Sequence, residues 1–187
     1  MRIISGNFKG KKILEPKDKT TRPLKDLTKE SVFNIILHSN KLEVKIVNSN
    51  ILDLFSGTGS FGLECLSRGS SFSTFVENYK IVLPILKKNI YNLNYQNASL
   101  IIDENIFNNL NFKTFKKKFN IIFLDPPYKE KKLYSLLQKI IESDILNKKG
   151  IIIIHRNKKE KEELPNKFNI IEEKTYGISK IIFGNYT

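Results

Sequence analysis

An α/β fold with a seven-stranded, mostly parallel sheet and a terminal antiparallel hairpin is the architecture this sequence predicts. Three observations carry the prediction. From Asn50 onward, short apolar runs alternate with helical patterns, as in a parallel sheet with helices on both faces. Two of the runs end abruptly, one in a glycine-rich turn and the other in Asp125-Pro126-Pro127-Tyr128. The last two runs, 168–175 and 178–183, meet at Tyr176-Gly177 with no room for a crossover helix, so they must pair antiparallel.

Taken in order, residues 1–15 read as a β-hairpin, with Arg2-Ile3-Ile4 and Lys11-Lys12-Ile13-Leu14 flanking the turn-rich Gly6-Asn7-Phe8-Lys9-Gly10. A polar loop closed by Arg22-Pro23 follows. A helix is predicted over 26–38, with Asp26 as N-cap and Leu27, Val32, Phe33, Ile36 and Leu37 as its apolar face. The polar connector 39–49 marks a boundary between an extension of residues 1–40 and a main domain of residues 50–187. Strands are predicted at 51–55, 72–77, 98–102, 119–124 and 150–154, and helices at 60–67, about 81–91, 105–116 and 131–143. Pro84 requires the second of these helices to begin near Val82 or to kink.

The composition is that of a globular chain: 40% of its residues are hydrophobic, in short dispersed runs. No apolar run reaches the ~18–20 residues of a membrane span, and the N-terminus lacks the apolar core of a signal peptide. Cys65 is the single cysteine, so no internal disulfide is expected, and with only His38 and His155 beside it a zinc site is not expected either. These features fit a reducing cytoplasm. Cys65 reads as a small buried hydrophobe, and the two histidines as helix-end and strand-end structural residues. The net charge of +13 favours an acidic partner, nucleic acid being the commonest. An AT-rich coding bias would also raise lysine content, but the charge is unevenly placed. Residues 1–25 hold eight basic side chains against Glu15 and Asp18, a balance of +6.

Gly57-Thr58-Gly59-Ser60-Phe61-Gly62 follows a strand and opens a helix, where glycines let the backbone turn tightly and approach a ligand. Glu77 ends the next strand, where a carboxylate can take the two hydroxyls of an adenosine ribose. Asp53 lies inside the first strand. A buried acid needs a partner, and the ammonium of S-adenosylmethionine suits it, whereas a dinucleotide pyrophosphate at this turn would be repelled. Asp103, after the third strand, is placed to accept from an adenine amino group or to serve as an ordinary turn residue.

Asp125-Pro126-Pro127-Tyr128 is a stiff loop, because each proline fixes φ and removes an N–H. An exocyclic base amine is a poor nucleophile that must be held in line with a methyl donor while its hydrogens find acceptors. The Asp125 carboxylate and the Pro126 carbonyl offer two acceptors, and Tyr128 offers a ring on which an unstacked base can lie. Lys129, Lys131 and Lys132 follow on the same side as candidate phosphate contacts; Lys116, Lys117 and Lys118 read as a solvated face.

With these residues in place, the chain resembles the RsmD family, methyltransferases that modify N2 of one guanine in bacterial small-subunit ribosomal RNA. The resemblance rests on Met1-Arg2-Ile3-Ile4-Ser5-Gly6, Lys9-Gly10-Lys11, Arg22-Pro23 and Lys29-Glu30-Ser31-Val32-Phe33-Asn34. It continues through Leu52 to Glu64, Ser67-Arg68-Gly69, Glu77, Asn89, Asp125-Pro126-Pro127-Tyr128 and Tyr176-Gly177. It implies a class I, Rossmann-like methyltransferase fold with a small N-terminal hairpin-and-helix extension; a monomer without a metal is the expectation for the chain. It implies S-adenosylmethionine held by Asp53, Phe55, Ser56, Gly57, Gly59, Glu77 and Asp103, and catalysis at Asp125, Pro126, Pro127 and Tyr128. It also implies 16S ribosomal RNA, within the small subunit or its precursor, as substrate. Arg2, Lys9, Lys11, Lys12, Arg22 and Lys129 are the candidate RNA contacts. Leu24, Leu27 and His155 depart from the family pattern; an acid is usual where His155 stands. The alternatives are a DNA adenine-N6 methyltransferase, which shares the Asp-Pro-Pro-Tyr loop but commonly carries a large recognition insertion, and a non-catalytic RNA-binding assembly factor. An NAD oxidoreductase is opposed by Asp53 and by the lack of a second domain.

Overall fold

The apolar runs pair into one sheet. A computed structural model describes residues 1–16 and 26–186. In chain order its elements are α1 (Asp26–His38), β1 (Asn50–Leu54), α2 (Ser60–Ser67), β2 (Phe72–Val76), α3 (Leu83–Asn92), β3 (Ser99–Ile102), β4 (Phe119–Leu124), α4 (Leu133–Glu142), β5 (Leu146–Asn157), β6 (Phe168–Tyr176) and β7 (Ser179–Tyr186). The strand order is β3-β2-β1-β4-β5-β7-β6. The first five strands are parallel, and β7 pairs antiparallel with both β5 and β6. Period-two alternation sorts the central strands onto two faces. Leu52, Leu54, Ile122, Leu124, Ile152 and Ile154 pack with Leu133, Leu136, Leu137 and Ile140 of α4. Ile51, Ile121, Phe123, Ile151 and Ile153 pack with Val32, Phe33 and Ile36 of α1 and with Phe61 and Cys65 of α2. Cys65 is buried, as its sequence context predicts. Among the described residues, no helix is long and apolar enough to cross a membrane.

Three local expectations are corrected. Residues 105–116 do not form a helix; they make turns and one 3-10 turn, Phe112–Thr114. Asparagines explain the difference. The Asn105 side chain accepts from the Phe107 and Asn108 N–H groups at 3.0 and 3.1 Å, and that of Asn111 from the Lys113 N–H at 3.1 Å. Such local bonds compete with helical ones. On α1, Leu27 and Leu37 face solvent, and the buried stripe is Lys29, Val32, Phe33 and Ile36, the true i, i+3, i+4, i+7 set. Finally, β5 runs three residues past the predicted end at 154, because β7 supplies a ladder there after β4 has stopped: His155, Arg156 and Asn157 pair with Ile181, Lys180 and Ser179. Pro84 sits in the first turn of α3, where its missing N–H costs nothing.

The N-terminal segment folds back as predicted. Arg2 and Lys12 form an antiparallel bridge, and Ile3 N–H donates to the Lys11 carbonyl at 2.9 Å. Ile3 and Ile13 bury against Leu63, Leu66, Phe75, Leu86 and Ile90. A buried glutamate clasps this hairpin to α2. Glu64 accepts from the Ile4 and Ser5 N–H groups at 2.7 and 2.9 Å, pairs with Arg68 Nε at 2.8 Å, and faces Lys29 Nζ at 3.6 Å. Lys29 also donates to the Arg2 carbonyl at 2.7 Å; burial, its strongest influence, lowers its pKa against the raising effect of Glu64 and Asp26. Gly6, at φ +83°, lies so close to α2 that a Cβ would come within 1.8 Å of the Ser67 carbonyl oxygen. Asn89 of α3 completes the attachment, accepting from Leu14 N–H at 2.8 Å and donating to the Leu14 and Thr58 carbonyls at 3.1 and 3.0 Å. The clasp thereby reaches the glycine turn.

Removing the carboxylate by Glu64→Ala leaves Lys29 buried beside two unsatisfied backbone donors. We expect a loss of about 3–5 kcal/mol, the range for breaking one side of a buried ion pair, with Glu64→Gln milder. Chemical denaturation of both variants checks the ordering.

Candidate functional site

The carboxyl ends of β1, β2, β4 and β5 surround a cavity of about 550 Å³. Each end supplies chemistry for a local reason. β1 stops where Phe55 adopts φ +61°, an uncommon conformation for a non-glycine residue, and the left-handed turns at Gly57 and Gly59 launch α2. β2 delivers Glu77, whose carboxylate accepts N–H bonds from Gly57, Asn78 and Tyr79 at 2.8, 2.9 and 2.8 Å. β4 ends at Leu124, and Asp125 follows as the first residue of the proline loop.

Among the described residues, four acids line this cavity, Asp53, Glu77, Asp125 and Glu130, and no lysine or arginine does, in a chain of net charge +13. The aromatic residues Phe55, Phe61, Tyr79, Phe107, Phe123 and Tyr128 supply much of the remaining wall. Asp53 is the deepest acid. Its Oδ2 accepts the Gly62 N–H at 2.9 Å, and it is almost wholly buried. Burial pushes its carboxyl up to about 8; the Gly62 bond opposes the shift, and the charges of Asp125 and Glu77 add to it. Gly62 has to be a glycine because a Cβ would stand 2.4 Å from the Phe75 ring and 3.2 Å from Asp53 Oδ2.

Of the predicted site residues, Asp53, Phe55, Ser56, Gly57, Glu77, Asp125, Pro126, Pro127 and Tyr128 line this one cavity. Gly59 shapes the turn beneath it. Asp103 lies beyond the lining, exposed and paired with Lys80 Nζ at 2.6 Å. Arg2, Lys9, Lys11 and Lys12 are exposed on the hairpin, and Lys129 is exposed on the proline loop. Arg22 and Leu24 lie outside the described residues.

The sequence reading missed two neighbours on β5. His155 is not a purely structural strand end: it stands inside β5, with Nδ1 2.8 Å from Asp125 Oδ1 and Nε2 2.9 Å from Ser179 Oγ. Arg156 is buried and grips the proline loop from behind. Its guanidinium donates to the carbonyls of Pro127, Tyr128 and Glu130 at 2.9, 3.2 and 2.9 Å and pairs with Glu162. One signal was present: a basic pair, His155-Arg156, directly after four isoleucines. A charge at the end of a central strand demands partners, but the sequence did not name them.

The chain matches the family model described as conserved hypothetical protein 95 over residues 1–185. It is 35% identical over 172 residues, 92% of this chain and 86% of the relative, to ribosomal RNA small subunit methyltransferase D of Buchnera aphidicola subsp. Acyrthosiphon pisum. It is 30% identical over 179 residues to the protein of the same name from Haemophilus influenzae, covering 95% of this chain and 90% of the relative. Among solved structures, yhhF of Escherichia coli, named there as a methyltransferase by assignment, superimposes with a TM-score of 0.81 at 26% identity, over 100% of this chain and 97% of the other. A more distant neighbour, a methyltransferase complexed with SAH, shares the fold at 17% identity with a TM-score of 0.59, over 80% of this chain and 48% of the other. The fold is that of a class I methyltransferase, and the chain belongs to the RsmD family, the family described as conserved hypothetical protein 95.

Proposed function

We propose that the chain transfers a methyl group from S-adenosylmethionine to the exocyclic N2 of a guanine in 16S ribosomal RNA. The carrying observation is the acid-lined, aromatic-walled cavity that joins Asp53 and Glu77 to the Asp125-Pro126-Pro127-Tyr128 loop. Such a lining favours a cation and disfavours a pyrophosphate. S-adenosylmethionine brings a methyl group on a sulfonium, a ribose diol and an α-ammonium. Asp53 would face the ammonium and Glu77 the ribose; Asp103, outside the lining and paired with Lys80, is assigned no contact. Asp125 and the Pro126 carbonyl would take the hydrogens of the base amine, with Tyr128 stacked on the base. The names of the relatives support ribosomal RNA of the small subunit as the substrate class. We assign RNA positioning to the extension of residues 1–40, by Arg2, Lys9, Lys11, Lys12 and Arg22 with Lys129 near the cavity mouth, and methyl transfer to residues 50–187.

Asp125→Ala should lower methyl transfer by about 10²–10⁴-fold, the range for losing a positioned acid–base group, with little change in cofactor affinity. Mass spectrometry of nucleosides from small-subunit RNA, before and after incubation, identifies the product. N6-methyladenine in DNA, or no product at all, would replace this reading with one of the alternatives.

Asp53 generates a pH prediction. Its folded pKa of about 8 lies above the ordinary carboxylate value of 3.8. Between the two, the folded state holds a proton that the unfolded state has released, so stability falls as pH rises through that window. An ammonium ligand needs the ionised form, so affinity for S-adenosylhomocysteine should rise as pH approaches 8. In Asp53→Asn both trends should flatten and affinity should drop; denaturation and calorimetry from pH 5 to 8.5 read the two.

Replacing Lys9, Lys11 and Lys12 together with Ala should weaken RNA binding and flatten its salt dependence, because fewer counterions are released. Cofactor affinity should not change. An unaltered slope would move the RNA to Lys129, Lys131 and Lys132.

A further inference from the structure

We infer that His155 is a positioning residue for the amine acceptor Asp125: it holds one carboxylate oxygen so that the other is presented to the substrate. The inference rests on the proposed methyl transfer and concerns the same cavity, which His155 helps to line.

The geometry has a definite chemical reading. An ionised carboxylate only accepts, so the 2.8 Å contact between Nδ1 and Asp125 Oδ1 requires the proton on Nδ1. In the neutral ring, Nε2 then carries a lone pair. Ser179 Oγ stands 2.9 Å from it and can donate its hydroxyl proton there. Asp125 therefore selects the tautomer, and Ser179, itself buried, satisfies the nitrogen left bare. The Tyr128 hydroxyl is 3.5 Å from the same Nε2. Imidazole, aspartate and tyrosine are thus tied into one cluster spanning β5, β7 and the proline loop.

The other oxygen of Asp125, Oδ2, has no hydrogen-bond partner among the described residues, and the side chain is only one-fifth exposed. Oδ2 is the oxygen left to accept from a base amine. A carboxylate turns about a soft, roughly two-fold torsion. Pinning Oδ1 removes that freedom before the substrate arrives, and prior ordering of a reacting group lowers the barrier without adding a contact to the cofactor. His155 touches none of the reacting atoms; it acts through Asp125. Its loss should therefore appear in kcat, with cofactor affinity unmoved.

Asparagine and glutamine separate this role from simple packing. In His155→Asn the amide nitrogen falls near the position of Nδ1 and can still donate to Asp125. In His155→Gln the longer side chain carries its amide toward Ser179, near the position of Nε2. We expect His155→Asn to keep kcat within about tenfold of the natural protein and His155→Gln to lose at least about tenfold more, as expected for an orientation effect. Both should bind S-adenosylhomocysteine within about twofold of the natural affinity. Methyl transfer to small-subunit RNA gives kcat and KM, with Asp125→Ala as the inactive control, and calorimetry gives the affinity. Equal activity of the two variants, or loss of activity in parallel with lost affinity, overturns the inference. Nitrogen-15 NMR of the ring at pH 8 reads the tautomer without turnover: a protonated Nδ1 with a bare Nε2 supports it, and the opposite tautomer overturns it. If the natural protein methylates no small-subunit RNA while the tautomer is as expected, the functional reading has failed and the His155–Asp125 coupling stands.

Discussion

The parallel pairing of β1 with β4 is the constraint on which the rest of the site depends. Its register sets Asp53 opposite Phe123 and Leu54 opposite Leu124, so the two strands finish level with each other. Asp53, inside one strand, and Asp125, one residue past the other, therefore open into one cavity. Two acids brought together in an apolar wall would ordinarily be selected against, since burial and like charge both penalise ionisation. Here the penalty falls mainly on Asp53, which burial holds in its protonated range. A cationic ligand would remove that penalty on binding, which is the physical reason for proposing a sulfonium and ammonium compound as its occupant.

The glycine turn and the N-terminal hairpin are held by buried polar groups and not by apolar contact alone. Glu64 and Asn89 are both buried, and both bond to the backbone of residues that precede α1. Asn89 also takes the Thr58 carbonyl, inside the glycine turn. One side chain therefore touches both the segment that carries the basic cluster and the loop beneath the cavity. The stacked rings of Phe33, Phe61 and Phe123, at 5.2 and 4.0 Å, extend the linkage from α1 through α2 to β4. Fully satisfied buried networks of this kind fix a single arrangement, because any partial break leaves a polar group unpaired.

Behind the proline loop, rigidity comes from two directions. Pro126 and Pro127 restrict φ along the chain, while Arg156 binds three carbonyls across space. The prolines cannot specify where the loop points, only that it bends little. Arg156 and His155 supply the direction because β7 prolongs β5 past the end of β4. The antiparallel hairpin that ends the chain thus carries the strand holding these two braces, besides completing the sheet.

Local chemistry determined what the sequence alone revealed. Apolar periodicity set the strand sequence, the absence of a crossover set the antiparallel end, and the glycine turn, Glu77 and the proline loop announced a site at strand ends. Each of those signals is written in contiguous residues. The helix expected at 105–116 failed because asparagine side chains bonded locally to the backbone, a competition that periodicity does not register. Tertiary structure alone decided which groups meet across long separations. His155 reaches Asp125 from 30 residues away, Glu64 reaches Ile4 and Ser5 from about 60, and Asp103 turns to Lys80 outside the cavity lining. Side-chain type states that a buried charge needs a partner; only the register of the strands and the packing of the helices choose it.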